Sequence, residues 1–135
     1  MSTKVFVNLP VKDLKKSMSF YDALGFKNNP AFTDDTGACM VVSEEIYVMV
    51  LTEAKFKPFT PKPIADATKS TEMLVALSRD SRDAVDDMVR KAKSSGGSTY
   101  AEPKDYGFMY QHGFQDPDGH IWEVFWMDPK GIPQG

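Results

Sequence analysis

Cysteine is nearly absent from this chain: Cys39 is the single one among 135 residues. That excludes an internal disulfide and any cysteine-rich zinc module. A lone free cysteine is most often a small buried core residue. No apolar run approaches the roughly 20 residues that cross a bilayer. Basic residues do not cluster, and 16 Lys+Arg against 19 Asp+Glu leave a net charge of −3. A nucleic-acid footprint is therefore missing. There is no G-x-S-x-G, no P-loop and no G-x-G-x-x-G. The opening "MSTKVFVNLP" has neither the charged start nor the long apolar region of a signal peptide. These absences lead to the expectation of a cytoplasmic protein with no membrane or nucleic-acid partner.

What is present is ordinary globular composition, with 41% hydrophobic and 26% charged residues. The length suits one domain with a sizeable core. "KVFVNLPV" alternates with period two, as a strand does. Asp13 is placed to N-cap a helix over "DLKKSMSFYDALG", with Leu14, Met18, Tyr21 and Leu24 as its apolar stripe and Gly25 past its end. "FKNNPAF" reads as a short strand interrupted by Pro30, and "TDDTG" as a turn. "ACMVVS" and "IYVMVLT" form a hairpin. Residues 53–70 lack periodicity and read as a Pro/Lys-rich connector, ordered in part through Phe56, Phe59 and Ile64. The pattern then returns. "TEMLVALS" is a strand. "DSRDAVDDMVRKAKSSGG" is a helix with Ala84, Val85, Met88 and Ala92 inward. "STYAEP" is short and extended. "YGFMYQHGFQ" and "HIWEVFWM" are strands, with Gly107 and Gly113 as candidate bulges. Modules 4–52 and 71–127 thus repeat in element order, not in residue identity.

The closing stretch "DPDGHIWEVFWMD" poses a chemical question. A strand built for burial carries a carboxylate, Glu123, and a buried carboxylate needs a partner, a proton or a metal. Alternation puts Trp122, Val124 and Trp126 on one face, under a helix, and Ile121, Glu123, Phe125 and Met127 on the other. Glu123 then points into a concave site, where ligands favour binding. "DPDG" lacks the downstream acids of a calcium loop and reads as a tight turn. His120 follows that turn and reads as structural. His112 is not assigned a face by alternation alone.

The opening "VFVNLPVKDLKKSMSFYDALGF" and the close "FQDPDGHIWEVFW" together resemble the vicinal oxygen chelate superfamily: glyoxalase I, the bleomycin-resistance proteins and the extradiol dioxygenases. The nearest texture is a bacterial glyoxalase-like subgroup labelled predicted lactoylglutathione lyase. The resemblance spans about Lys4 to Met127. It implies an α+β fold in which two βαβββ modules form a half-rolled mixed sheet around a cleft, with helices on the convex face, and it implies a homodimer. In metal-dependent members four strand positions supply His, Glu or Gln ligands, and the ion acts as a Lewis acid. Those positions fall here on Phe6, Val50, Leu74 and Glu123. Three are apolar, so no metal is expected at the usual site and no cofactor is assigned. The same resemblance turns Met109 and Gln111 toward the cleft and His112 away.

The expectation is a small-molecule binder with an apolar cleft. Phe6, Val50, Leu74, Met109 and Phe125 supply its apolar part, Asn8 and Gln111 its neutral polar groups, and Glu123 its anchor or acid/base. The alternatives are a lyase or isomerase of the glyoxalase type acting through Glu123, and a non-catalytic scaffold dimer. Lys55, Lys57, Lys62 and Lys69 in the connector read as a solvated run or as steering groups for an anionic ligand.

Overall fold

The computed structural model describes residues 2–131. The chain divides into two compact units between Ser70 and Thr71. Each carries its own four-stranded mixed sheet, and the two sheets share one topology.

In the first module the strands are β1 (Val5–Val11), β2 (Lys27–Asn29), β3 (Gly37–Val41) and β4 (Ile46–Thr52), in the order β1-β4-β3-β2. β1 pairs parallel with β4, and the other contacts are antiparallel. Helix α1 (Leu14–Ala23) begins where the sequence places it, with the Asp13 carboxylate accepting the Lys16 N–H at 3.1 Å. It ends before Gly25, whose φ of 99° is a left-handed conformation that glycine tolerates without steric penalty. The buried line of α1 is Ser17, Phe20, Tyr21 and Leu24, whereas Leu14 and Met18 are only half-buried. The helix is rotated from the expected stripe so that its two large rings go inward. Phe20 meets Tyr21 edge-on, and Tyr21 stacks on Phe26. Beneath them lie Ala38, Met40, Val48 and Val50, each 0% exposed. Burial of a large apolar side chain contributes about 1.5–3 kcal/mol, and this layer collects most of that for the module.

Pro30 ends β2 and opens a short 3-10 turn, Pro30–Phe32. The "TDDTG" turn is closed by the Asp34 carboxylate, which accepts from the Thr36 N–H and hydroxyl and from the Gly37 N–H. The Thr36 hydroxyl bond holds this carboxyl below the usual range. The connector is more regular than its composition implies: α2 (Glu53–Phe56) is capped by Thr52, and a 3-10 turn covers Lys57–Phe59. Phe56 and Ile64 are half-buried, but Phe59 is 71% exposed and anchors nothing.

The second module holds β5 (Val75–Ser78), α3 (Arg82–Ser94), β6 (Lys104–Asp105), β7 (Met109–Gln115) and β8 (Ile121–Met127), ordered β5-β8-β7-β6. Ser81 caps α3 by accepting the Ala84 N–H. Val85, Met88, Val89 and Ala92 are buried against Leu77, Phe114, Trp122 and Val124. Phe114 and Trp122 stack with centroids 6.2 Å apart. Arg82, in the first turn of α3, lies over the Tyr110 and Trp126 rings and binds the Asp105 carboxylate and the Gly107 carbonyl. It ties the loop before β7 to the helix.

The pairing of β7 with β8 runs unbroken through Gly113, so no bulge forms there. Gly107, with φ 85°, marks a turn instead. "DPDG" is a turn, as read. The buried Asp116 carboxylate accepts the Asp118 and His120 N–H groups, and Gly119 takes φ 92°. Among the described residues no helix is long and apolar enough to cross a membrane.

Neighbouring residues on β4 face opposite ways, which makes a stability contrast. Val50→Ala, in the sealed layer, is expected to cost about 2 kcal/mol, as methyl groups are lost and a cavity is left. Met49→Ala, on the open face, is expected to cost under about 1 kcal/mol. Urea unfolding of the two variants measures the contrast, and equal losses would contradict the observed register.

Candidate functional site

The face of the first sheet away from α1 is open around Phe6, Asn8 and Met49, whereas Leu51, of the same parity on β4, is buried at the end where α2 contacts that strand. Pairing register assembles it row by row. Asn8, Met49, Cys39 and Asn29 form one row across all four strands, and Phe6, Tyr47 and Val41 form the next. Phe6 and Tyr47 stack with centroids 4.6 Å apart and planes 10° apart, yet Phe6 remains 52% exposed. Phe32, from the 3-10 turn, is 68% exposed. These residues other than Val41, together with Lys4, line a pocket of about 500 Å³. Size and lining fit a small-molecule site: largely apolar walls with a few placed polar groups.

The polar groups are partly committed. The Asn8 amide donates to the Phe6 carbonyl, leaving its own oxygen as an acceptor. The Asn29 oxygen accepts the Ala31 N–H, leaving its amide as a donor. The Tyr47 hydroxyl donates to the Glu44 carbonyl at 2.7 Å. Cys39 lies at the floor, 2% exposed, and burial pushes its thiol pKa up. It is therefore a protonated wall residue at neutral pH, not a nucleophile.

The open face of the second sheet is different in kind. Ala76, Glu123 and Gly113 lie side by side across β5, β8 and β7. Both neighbours of the carboxylate are small, so space is left around it. The missing side chain of Gly113 is replaced by Tyr100, whose hydroxyl would lie only 2.1 Å from a Cβ at that position. Tyr100 is delivered there by the isolated antiparallel Ser98–Gln115 bridge, two residues before it. Desolvation, then the charge of Glu123, raise its phenol pKa. The Glu123 carboxylate accepts no hydrogen bond from any described residue and is only half-buried. The face thus offers an open carboxyl acceptor beside a protonated phenol.

The sequence-derived residues divide accordingly. Phe6 and Asn8 lie in the first pocket. Met109, Gln111 and Phe125 share the face of Glu123, as parity requires. Val50 does not lie with Phe6; it is fully buried under α1, and Met49 takes the place in the open row. The slip is one residue, enough to reverse a strand's faces. Leu74 precedes β5 and is 47% exposed. His112 points toward α3, beside Asp86, Arg90 and Lys93. Its Nδ1 accepts the Gly113 N–H, and burial pushes its pKa down. Tyr100, Tyr47, Phe32 and Asn29 were not singled out from the sequence. The signal for Tyr100 was the glycine itself: a mid-strand gap in an otherwise bulky sheet calls for a ring across it.

The donor set does not fit the family's divalent ion. Of Phe6, Val50, Leu74 and Glu123 only the last can ligate, and the register-corrected Met49 offers a soft thioether. No group of three or more His, Cys, Asp or Glu that could hold a metal exists among the described residues.

Comparison with known proteins agrees with this architecture. Residues 5–124 match the Glyoxalase/Bleomycin resistance protein/Dioxygenase superfamily. No curated protein matches. Among solved structures, a hypothetical protein SA1046 from S. aureus is 30% identical, covering 93% of this chain and 95% of its own, with a TM-score of 0.78. A glyoxalase/bleomycin resistance protein/dioxygenase family enzyme from Burkholderia phytofirmans PsJN is 16% identical over 93% and 99%, with a TM-score of 0.76. The fosfomycin resistance protein FosX of Listeria monocytogenes is 16% identical over 96% and 97%, with a TM-score of 0.68. The last two show the fold alone. The chain belongs to the Glyoxalase/Bleomycin resistance protein/Dioxygenase superfamily.

The Tyr100–Glu123 juxtaposition has a measurable consequence. Glu123→Gln removes a negative charge that disfavours the phenolate. The Tyr100 pKa is therefore expected to fall toward that of an ordinary tyrosine, while Tyr110, held at about 12 by its bond to Asp86, stays put. Ring-carbon NMR titration of the two tyrosines decides it; an unmoved Tyr100 would separate the pair.

Proposed function

We propose that this member of the superfamily is a small-molecule binding protein whose ligand is held without a metal at the family's usual position. The observation that carries the reading is the pocket of about 500 Å³ on the open face of the first sheet, with Phe6, Asn8 and Met49 in its lining. Large rings are left accessible there: Phe6 and Phe32 are more than half exposed. Glu123, Gln111, Met109 and Phe125 form a separate candidate face on the second module, and Leu74 immediately precedes β5, the strand paired with β8. A homodimer belongs to the same reading, supported by family membership, with the cytoplasm as its expected location.

One observation favours a catalytic second reading. The Glu123 carboxylate has its lone pairs unclaimed next to a protonated phenol. That is the arrangement of an acid/base pair in a lyase or isomerase moving a proton without a metal.

A fragment panel followed by methyl NMR tests the first reading. Perturbations centred on Met49 and on residues of β1 are expected, and a flat titration with every fragment would remove it. Nickel, zinc, cobalt, manganese or iron, added and then desalted away, are each expected to leave no stoichiometric ion; a retained one would overturn the metal-free part. Turnover of the hemithioacetal of methylglyoxal and glutathione, abolished in Glu123→Gln, would establish the second reading. Sedimentation at micromolar concentration is expected to show a dimer, and monomer alone would refute that element.

A further inference from the structure

The chemistry of the first pocket is narrower than "apolar". Its lining contains one charged side chain, Lys4, and no carboxylate. Glu44, Glu45 and Asp34 lie within three residues of lining side chains in sequence, but none of them lines the pocket. The one charge in the lining is therefore positive, although the protein as a whole is at −3. Three aromatic rings, Phe6, Tyr47 and Phe32, border the same space. Stacked Phe6 and Tyr47 form one flat-sided wall, and Phe32 projects from the turn after β2. Rings so placed favour a flat aromatic guest, in offset or edge-on contact.

Such rings also attract cations, so the sign of the ligand's charge must be decided. Lys4 decides it. Its Nζ lies 5.7 Å from the Tyr47 ring centroid and 3.5 Å from the Tyr47 hydroxyl. The Tyr47 π-face already has a cation, and a cationic guest placed against the neighbouring rings would meet its repulsion. An anionic group would instead meet Lys4 at the pocket edge and the uncommitted amide N–H groups of Asn29 within it.

We infer that the first-module pocket selects a planar aromatic ligand carrying an acidic group, with the ring system against Phe6 and Phe32 and the anion at Lys4 and Asn29. The inference rests on the binding-protein reading and specifies its ligand class. It runs against the cationic preference that the net charge alone would favour.

Three probes of one shape separate the possibilities: 2-naphthoate, 2-naphthalenemethanol and 2-naphthylmethylammonium, titrated into the full chain and followed by methyl and amide NMR. Naphthoate is expected to bind about tenfold tighter than the ammonium probe, with the alcohol between. Lys4→Met should bring naphthoate close to the alcohol, a loss of about fivefold. Phe6→Ala should weaken all three, and circular dichroism checks that both variants are folded. Salt should weaken naphthoate and leave the alcohol unchanged. Equal or tighter binding of the ammonium probe would overturn the ligand class while leaving the binding reading standing. So would binding confined to non-aromatic members of the fragment panel. No binding of any probe, with a flat fragment panel, would overturn both.

Discussion

A β-strand sends successive side chains to opposite faces, and in each module one face of a four-stranded sheet must be kept dry by one helix. Nearly everything else depends on that division. Phe20 and Tyr21 of α1 seal Val48 and Val50, and Val85, Met88 and Val89 of α3 seal Trp122 and Val124. Once those layers are fixed, the alternate residues have no choice of direction. Phe6, Asn8, Met49, Glu123, Phe125 and Gln111 face outward because their neighbours face inward.

The two open faces that result are chemically unlike, although the modules share one topology. The first presents stacked rings, a thioether, two carboxamides and a lysine. The second presents a carboxylate between two small residues, with a phenol laid over Gly113. A repeat kept in element order but not in residue identity can use its halves for different tasks. Fold does not set function, and here the divergence between the halves carries more functional information than the architecture they share.

Phe6, Val50 and Leu74 are apolar and can neither ligate nor neutralise anything beside Glu123, and a carboxylate is costly if sealed. The structure avoids sealing it: Ala76 and Gly113 keep its flanks low, and it is only half-buried. Tyr100 covers the backbone at Gly113 rather than the carboxylate itself.

Much of this was already written in the sequence. Period-two and helical spacing, Asp13 and Ser81 as caps, Gly25 as a helix stop and Asp116 as the hub of a turn are local features, decided within a few residues by sterics and hydrogen bonds. The face of Glu123 was legible too, because Trp122, Val124 and Trp126 bracket it with bulk. Where both faces are apolar, as on β4, alternation has no contrast to read. The choice between Met49 and Val50 then fell to α1, whose Phe20 and Tyr21 determine the face that is closed. Tyr100, Phe32 and Asn29 lie in or beside irregular segments that have no period at all. Their positions follow from pairing between residues distant in sequence, Ser98 with Gln115 and Asn29 with Cys39. Long-range pairing is a property of the folded sheet, and only the tertiary structure could decide it.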